Sequence, residues 1–342
     1  MKKISIIVPS YNEADNLEAL YDALLPLIDG KMPQYAPEGS SAALDGYDWE
    51  VLMVNDGSSD ATLDLMAELH HRDPRFRYIN LSRNFGKENA MLAGFDYATG
   101  DAAVIIDADL QHPIDKIPEM IYWWEQGYDD VYGKRLSRGR ESWLRRRLSL
   151  AYYKMLQRST RVDILPNVGD FRLLDRRALD ALRQLRETQR YTKGMYAWIG
   201  FRKKEVLYSN LERHGGQSSF NLRRLCNLAV EGITSYTTAP LRLASFIGLI
   251  SAVGAMLYAL YFLFKTLIVG DSVQGFPTLI IVILFLGGCQ LLAIGIIGEY
   301  LGRVFNETKR RPPYIVDTID GVPVNSPITP MAVQRKDSTK QI

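Results

Sequence analysis

Two carboxylates stand one residue apart at the end of an apolar run, in the stretch AAVIIDADLQHP at residues 102–113. In an extended segment the residues i and i+2 point the same way, so Asp107, Asp109 and Gln111 can present oxygen atoms to one side. Ligand sets made only of oxygen suit Mg²⁺ or Mn²⁺, which can bridge a few carboxylates and the phosphates of a substrate. Taken alone, this common spacing favours a simpler interpretation, in which the two aspartates shape the turn before Pro113.

Other common phosphate-binding and cation-binding motifs are absent from the sequence. The first apolar run ends in VPSYNEADN (8–16), which has no glycine, whereas a dinucleotide-binding fold would carry G-x-G-x-x-G there. The P-loop signature G-x-x-x-x-G-K-[ST] does not occur. An EF-hand starting at Asp107 is excluded because its sixth and twelfth positions would be His112 and Pro118. A divalent cation held by carboxylates is the alternative way to bind a diphosphate.

Strands and helices are predicted to alternate through the first third of the chain. The predicted strands are 3–9, 49–55, 76–82 and 102–107, and the predicted helices are 13–28, 60–71 and 86–98. This order favours an α/β fold, Rossmann-like, with a mainly parallel sheet that has helices on both faces.

Ligands of such sheets bind outside the carboxyl ends of the strands. Polar or turn-forming residues follow all four predicted strands: Pro9, Tyr11, Asn12 and Glu13; Asp56, Gly57 and Ser58; Arg83, Asn84 and Lys87; Asp107, Asp109 and Gln111. Because these residues converge on one edge of the sheet, a metal site becomes the favoured interpretation of Asp107 and Asp109, ahead of a simple turn.

Composition excludes several classes of protein. The 342 residues carry a formal net charge of only +2, which gives no sign of a nucleic-acid partner. The two cysteines, Cys226 and Cys289, lie far apart among apolar neighbours, so no disulfide framework or cysteine-based zinc site is expected.

Two segments near the C-terminus, 243–264 and 276–298, are uncharged and mostly apolar. Each meets the length of about 20 residues that a membrane-spanning helix needs, and a pair of buried core helices is the alternative. Basic residues flank the pair on both outer sides: Arg223, Arg224 and Arg242 before it, and Arg303, Lys309, Arg310 and Arg311 after it. The linker beyond Lys265 has no lysine or arginine, so the positive-inside rule predicts that both termini are cytoplasmic.

A resemblance to a known family rests on motifs in a fixed order. VPSYNE, VNDGSSDAT, LSRNFGKENAMLAG and IDADLQHP resemble the successive signatures of family 2 glycosyltransferases, which have the GT-A fold. The later stretches GDFRLLDRR (169–177) and GEYLGRVFNETKRRPPYIV (298–316) are similar to the polyisoprenyl-phosphate branch, which includes bactoprenol glucosyltransferases and dolichol-phosphate mannose synthases. The resemblance spans roughly residues 3–316 and is strongest to the bacterial type with two C-terminal membrane helices.

The resemblance implies a division of the chain and a location. The expected parts are a cytoplasmic GT-A domain (1–220), an interfacial helix (221–242), two transmembrane helices within 243–302 (about 243–268 and 276–300) and a cytoplasmic tail (303–342). The protein is expected in the bacterial inner membrane, in contact with the lipid bilayer, as a multi-pass homo-oligomer whose catalytic domain is cytoplasmic.

The resemblance also implies a donor site. Contacts to a nucleotide-sugar are expected from Pro9, Tyr11, Glu13, Asp56, Arg83, Lys87, Asp107, Ala108 and Asp109. Mg²⁺ or Mn²⁺ would be held by Asp107, Asp109 and Gln111. Simpler interpretations stay open for some of these: Asp56 suits a turn, and Arg83 could pair with Asp107.

The acceptor side is expected to be basic and close to lipid. Residues 132–158 read as an amphipathic basic segment at the membrane surface or, equally well, as an ordinary core helix with a solvated charged face, and 220–243 favour the interfacial location more strongly. Candidates for binding the acceptor phosphate are Arg135, Arg138, Arg213 and Ser218. The loop 212–220 departs from the family pattern, because Ser219 replaces a usual lysine and Asn210 stands where an arginine is frequent. By resemblance Asp170 is the candidate catalytic base, and the simpler alternative is that it orders a loop by pairing with Arg172. Because a phosphate acceptor is already mostly ionised at neutral pH, we expect Asp170 to act mainly by positioning the acceptor or its arginine partners.

The expected reaction is inverting transfer of a hexose, glucose first, from a UDP-sugar to undecaprenyl phosphate at the cytoplasmic membrane face. Galactose, an N-acetylhexosamine such as GlcNAc, a modified arabinose, or mannose from GDP-mannose are alternative sugars. A processive polysaccharide synthase is disfavoured because no Q-x-x-R-W string occurs. A non-catalytic membrane assembly factor that binds nucleotide-sugars is the least favoured alternative.

Overall fold

The computed structural model describes residues 1–32, 35, 46–136, 168–188, 190–209, 239–269 and 275–324. They belong to two compact units: the first holds the described residues up to 209 together with 311–324, and the second holds 239–269 and 275–310. Several predictions concern residues outside the described part, namely those on Arg138, Arg213, Ser218, Asn210, Ser219, most of 132–158 and nearly all of 220–243.

The first unit alternates strands and helices, as the sequence predicts. Its elements are β1 (Lys2–Ser10), α1 (Ala14–Ile28), β2 (Tyr47–Asn55), α2 (Thr62–Arg72), β3 (Phe76–Leu81), α3 (Lys87–Tyr97), β4 (Ala102–Ile105), α4 (Ile117–Glu125), β5 (Asp130–Arg135), β6 (Val168–Asp175), α5 (Arg176–Gln184), α6 (Thr192–Trp198), β7 (Lys203–Tyr208), β8 (Val316–Ile319) and β9 (Val322–Pro323). All four predicted strands and all three predicted helices are present, with ends shifted by a few residues.

The described strands form one nine-stranded sheet in the order β7-β5-β6-β4-β1-β2-β3-β8-β9. The central strands β4, β1, β2 and β3 are parallel, as expected. However, β6 is antiparallel to both β4 and β5, and β8 is antiparallel to β3. The sheet is therefore mixed. The prediction of a mainly parallel sheet holds for the four central strands and for the parallel pair β5 and β7, and it is wrong for β6 and β8, whose antiparallel pairing local patterns do not reveal.

Both faces of the sheet are covered. Ile4, Ile6 and Val8 of β1 pack on one face with α1, α2 and α4. Ile7 of the same strand packs on the opposite face with α3, α5 and α6. A strand buried on both faces reads as a continuous apolar run, which explains the composition of β1.

A close backbone approach joins the ends of β2 and β3. Gly57, just after β2, has φ +65°, and a Cβ atom at this position would lie 2.4 Å from the carbonyl carbon of Arg83. Any other residue would therefore be strained in its backbone and would push against the loop that follows β3. This contact sets how closely the two strand ends approach each other.

The second unit contains two long helices, α7 (Ala239–Val269) and α8 (Phe276–Thr308). They contact each other, with Ser251 Oγ 3.8 Å from Cys289 Sγ. Within the described part of the chain, Phe285–Thr308 is the one stretch that is long and apolar enough to cross a membrane, with a mean hydropathy of 1.4. The two-helix transmembrane hairpin stays a prediction.

After α8 the chain returns to the first unit, where β8 pairs with β3. Tyr314, which precedes β8, is only 2% exposed, and its hydroxyl donates to the Asp96 carboxylate on α3. Arg186 donates to both oxygens of the same carboxylate, at 2.6 and 2.7 Å. This part of the predicted tail thereby contributes a strand and a buried polar contact to the first unit.

We expect Tyr314→Phe to lower the free energy of unfolding of the first unit by about 2 kcal/mol, because it removes a hydrogen bond to a buried charged group. Chemical denaturation of the purified protein, followed by near-ultraviolet circular dichroism, measures this change. Tyr314→Leu, which also removes the aromatic ring, should lose more. A Tyr314→Phe variant as stable as the unsubstituted protein would show that the hydroxyl contributes nothing.

Candidate active site

The carboxyl ends of β1, β2 and β4 and the loop after β3 border a cavity of about 320 Å³. Its lining residues are Pro9, Ser10, Tyr11, Glu13, Asp56, Asn84, Gly86, Lys87, Ala90, Asp107, Ala108 and Asp109. This volume lies at the lower end of the range for small-molecule sites. The cavity is at the sheet edge where the sequence predicts a ligand.

Eight of the nine residues expected to contact a nucleotide-sugar line this cavity: Pro9, Tyr11, Glu13, Asp56, Lys87, Asp107, Ala108 and Asp109. The ninth, Arg83, is not part of the lining; its guanidinium lies 4.1 Å from the centre of the Phe85 ring and donates to the carbonyl oxygen of Asn84. The structure thus brings the predicted set together, while their role as ligands to a nucleotide-sugar stays a prediction.

Asp56 fixes the loop after β3. Its side chain is buried, with Oδ1 accepting from the backbone N–H of Phe85 at 2.7 Å and Oδ2 from that of Gly86 at 2.9 Å. Burial raises the pKa of Asp56, although these two hydrogen bonds oppose the shift. Asp56 therefore holds the segment that brings Asn84 and Lys87 to the cavity wall.

A second set of contacts joins the ends of β1 and β2. The backbone N–H of Asn12 donates to Ser58 Oγ at 2.9 Å, and the N–H of Ser59 donates to Asn12 Oδ1 at 2.8 Å. Asn12 adopts a left-handed conformation, with φ 54°, which asparagine tolerates better than most residues. These bonds hold the segment of Tyr11 and Glu13 beside Asp56.

Lys87, the first residue of α3, connects two acids: Asp107, just after β4, and Asp170, on the neighbouring strand β6. Its Nζ atom lies 2.6 Å from Asp107 Oδ1 and 3.1 Å from Asp170 Oδ2. Burial disfavours the charged form, but the two carboxylates outweigh it and raise the pKa of Lys87. The ammonium is therefore a permanent cation between the cavity and β6.

These contacts correct two alternatives from the sequence. Lys87, and not Arg83, forms the ion pair with Asp107. Asp170 pairs with Lys87, whereas Arg172 pairs with the buried Asp130 at 3.0 Å. The second correction follows from strand direction: β6 runs antiparallel to β4, so Asp170 lies at the cavity end of β6 and Arg172, opposite Ile105, lies further from it.

The ionisation of Asp170 follows from the same contact. Burial alone would raise its pKa, but the charge and hydrogen bond of Lys87, assisted by Lys193, leave the pKa below the usual aspartate value. Asp170 is consequently a carboxylate throughout the neutral range, and its affinity for a proton is low.

The carboxylates of Asp107 and Asp109 fit a divalent cation. Both line the cavity, and Mg²⁺ is commonly bound by one or two carboxylates together with substrate phosphates. Gln111 is not part of the lining; its backbone N–H donates to Asp109 Oδ1 at 3.1 Å. Among the described residues no cluster of three or more His, Cys, Asp or Glu side chains could hold a metal by itself. Phosphate oxygens would have to complete the ligand set, and the role of Gln111 stays a prediction.

The predicted acceptor residues fall into two groups. Arg135 lies at the end of β5, and its Nε donates to the hydroxyl of Tyr208, at 3.0 Å. In the sheet, Arg135 is opposite Tyr208 of β7, and the preceding Lys134 is opposite Val168 of β6. The end of β5, the end of β7 and the start of β6 therefore lie at one corner of the sheet. Arg138, Arg213 and Ser218 lie outside the described residues, in segments whose chain connects to this corner.

Glu88, next to Lys87, is a partly buried acid close to Asp170 that the sequence did not single out. Its Oε2 atom accepts from the N–H of Thr192 at 3.0 Å and also from the hydroxyl of that residue. Burial, with a further contribution from Asp170, raises the pKa of Glu88 to about 7. Nothing local distinguishes this glutamate, because its partners lie on β6 and α6.

Comparison with known proteins agrees with this geometry. A family model described as glycosyl transferase family 2 matches residues 5–183. The chain is 39% identical over 317 residues to a prophage bactoprenol glucosyl transferase homolog of Escherichia coli, covering 93% of this chain and 99% of that protein. It is 40% identical over 314 residues to the bactoprenol glucosyl transferase of Shigella phage SfV, covering 92% and 98%.

Solved structures resemble the chain more distantly. Glucosyl-3-phosphoglycerate synthase from Mycobacterium tuberculosis, solved with Mn²⁺, UDP and glucosyl-3-phosphoglycerate, is 19% identical, with a TM-score of 0.43 over 68% of this chain and 78% of that chain. The family model and the relatives at about 40% identity over nearly the whole length carry the assignment. With its GT-A-like α/β fold and mixed sheet, the chain therefore belongs to glycosyl transferase family 2 and is a glycosyltransferase.

Proposed function

We propose that the protein transfers a hexose, glucose before other sugars, from a UDP-sugar to undecaprenyl phosphate with inversion at the anomeric carbon. The observation that carries this proposal is the cavity at the strand ends, in which eight residues expected to contact the donor meet, two of them carboxylates suited to a divalent cation. The lipid acceptor is supported by the relatives named bactoprenol glucosyl transferase, which align with more than nine-tenths of the chain.

On the donor side, Asp107 and Asp109 would hold Mg²⁺ or Mn²⁺, which supplies positive charge to balance the leaving diphosphate. The protein's own contribution is orientation. The loop fixed by Asp56 presents Asn84 and Lys87 to the cavity, and Tyr11 lies half-exposed at its wall. Preorganised groups of this kind lower a barrier because they need no reorganisation during the reaction.

In the proposed step, a phosphate oxygen of the acceptor attacks the anomeric carbon from the face opposite the nucleotide. The bond from that carbon to the UDP oxygen breaks as the new bond forms, and UDP leaves with the electron pair. A phosphate monoester has its second pKa near ~6, so at neutral pH the nucleophile is already mostly dianionic. It needs positioning more than it needs a base.

Asp170 is therefore proposed as a positioning group and not as the principal base. Its lowered pKa makes it a poor proton acceptor. Its charge instead holds the ammonium of Lys87, which also contacts Asp107. Arg135, at the corner where β5, β6 and β7 meet, is proposed to contact the acceptor phosphate, with Arg138, Arg213 and Ser218 from the undescribed segments.

The proposed location is the bacterial inner membrane, with the catalytic domain and both termini cytoplasmic. The apolar stretch Phe285–Thr308 and the basic residues outside the two apolar segments support it. A second crossing by α7 is proposed from its composition, and assembly into a homo-oligomer rests on the resemblance alone.

The decisive experiment is a donor panel. The purified full-length protein is incubated with undecaprenyl phosphate, Mg²⁺ or Mn²⁺, and UDP-glucose, UDP-galactose, UDP-GlcNAc, a UDP-linked modified arabinose or GDP-mannose. We expect UDP-glucose to give the fastest release of nucleoside diphosphate and a chloroform-soluble, β-linked sugar phosphate. Transfer from another donor would change the sugar, and an absence of lipid-linked product with every donor would refute the proposal.

We expect Asp109→Ala to lose metal-dependent transfer by at least about 100-fold, because charge on the leaving diphosphate would be left unbalanced. Initial rates over a range of Mg²⁺ and Mn²⁺ concentrations measure the loss. Asp115→Ala, which removes an exposed carboxylate from the following turn, is the matched control and should retain full activity. Near-normal turnover of Asp109→Ala with added metal would contradict the metal assignment.

We expect Asp170→Asn to lose less than the roughly 10²–10⁴-fold that removal of a general base costs. The asparagine keeps the shape of the side chain but cannot take a proton. The residual rate should still rise with pH through the titration of the acceptor phosphate near ~6. A variant that binds donor and lipid normally but is inactive at every pH would instead make Asp170 the base.

A further inference from the structure

His112 is buried beside the donor cavity but is not part of its lining. We infer that His112 is a positioning residue, which fixes Asp107 and connects it to the strand that carries Asp170. The inference rests on the proposed function, because it gives Asp107 a role in binding the metal and the donor. It arises from two contacts of the imidazole ring, one to the backbone of Asp107 and one to Phe171.

The first contact is a hydrogen bond from the backbone N–H of Asp107 to Nδ1 of His112, at 3.0 Å. A backbone N–H can only donate, so Nδ1 must be the unprotonated nitrogen and the ring proton lies on Nε2. Nε2 is 4.0 Å from Asp107 Oδ2, which is too far for a direct hydrogen bond. His112 therefore acts on the backbone of Asp107, and the carboxylate stays available to the cavity and to Lys87.

This hydrogen bond closes the short loop 107–112, whose backbone is strained at one residue. Leu110, between the two ends, has φ 56°, a left-handed conformation that is unfavourable for a residue with a branched side chain. Within the loop, the N–H of Gln111 donates to Asp109 Oδ1 at 3.1 Å. The bond from Asp107 to His112 spans the whole loop, so it helps to hold Asp107 and Asp109 in their relative positions.

The second contact is a ring stack. The imidazole of His112 lies parallel to the ring of Phe171, with the ring centres 4.9 Å apart and the planes 11° apart. Phe171 is fully buried and directly follows Asp170 on β6. Tyr208 of β7 meets both rings edge-on, with centres at 6.4 Å from His112 and 5.5 Å from Phe171.

The two acids on either side of Lys87 are thus connected twice. Lys87 joins the carboxylates directly, and His112 joins the backbone of Asp107 to the side chain of Phe171, the residue after Asp170 on β6. A displacement of the loop after β4 would therefore be resisted from β6. If His112 only filled space, a phenylalanine at this position would serve equally well, and this difference makes the inference testable.

Two substitutions separate the two contacts. His112→Phe keeps a ring that can stack on Phe171 but removes the acceptor for the Asp107 N–H. His112→Asn loses the stack but offers an amide oxygen near the position of Nδ1. The matched control is His70→Phe, since His70 is a partly buried histidine of the first unit, away from the cavity, that bonds through Nδ1 to the carbonyl oxygen of Phe76, at 2.8 Å.

The purified full-length variants are compared by Mn²⁺ titration in the presence of UDP, followed by electron paramagnetic resonance, and by melting temperature, kcat and the KM for UDP-glucose. Loss of a partner that orients a metal ligand typically costs about 10–100-fold in metal affinity or activity. We expect His112→Phe to weaken Mn²⁺ binding and lower kcat by such a factor while the melting temperature changes little. His112→Asn should regain at least part of the Mn²⁺ affinity and of kcat. His70→Phe should match the unsubstituted protein in Mn²⁺ affinity and in kcat.

Mn²⁺ affinity and kcat that are unchanged in His112→Phe would overturn the inference and leave His112 a packing residue. If His112→Phe does not fold, His112→Asn decides: metal affinity close to that of the unsubstituted protein supports the inference, and a loss of about tenfold or more at an unchanged melting temperature overturns it. Failure of the unsubstituted protein to bind Mn²⁺ with UDP would overturn the proposed function, and this inference with it. If the unsubstituted protein binds Mn²⁺ with UDP and His112→Phe binds it equally well, this inference alone is overturned.

Discussion

The ion pairs of Lys87 are the interaction on which the site depends. Asp107 follows β4 and Asp170 lies on the neighbouring antiparallel strand β6, and their carboxylates lie 2.6 and 3.1 Å from the same ammonium group. Without this cation two largely buried negative charges would face each other, and their desolvation would have no compensation. The same contact keeps Asp170 ionised and fixes the wall of the cavity at the strand ends, so the low pKa of Asp170 and the position of that wall have one cause.

Helix α3 receives support at both of its ends. Its first residue, Lys87, contacts the two acids, and Asp96 in its last turn binds Arg186 and Tyr314. Tyr314 follows α8 in the chain, so the segment after the long helices helps to hold the element that carries Lys87. A buried carboxylate with several charge-assisted hydrogen bonds is costly to disrupt, which makes this end of α3 a firm attachment.

Backbone groups, more than side chains, shape the remaining walls of the cavity. Asp56 binds two backbone N–H groups of the loop after β3, Gly57 lets that loop approach, and the Asp107 N–H binds His112. Side chains that are hydrogen-bonded to the backbone are not free to reorient. A site assembled in this way is ordered before a ligand binds. Such preorganisation suits the proposed reaction, in which the nucleophile needs little more than correct placement.

The sequence by itself determined the central strands, their helices and the residues at the strand ends, because apolar runs, turn residues and the spacing of Asp107 and Asp109 are local properties. It also predicted eight of the residues that line the cavity. The tertiary structure decided the antiparallel pairing of β6 and β8, the contacts of Lys87 with Asp170 and of Glu88 with Thr192, and the stacking of His112 on Phe171. These contacts join strands and helices that are distant in the chain. Strand direction and register select which side chains meet, and no local pattern encodes them.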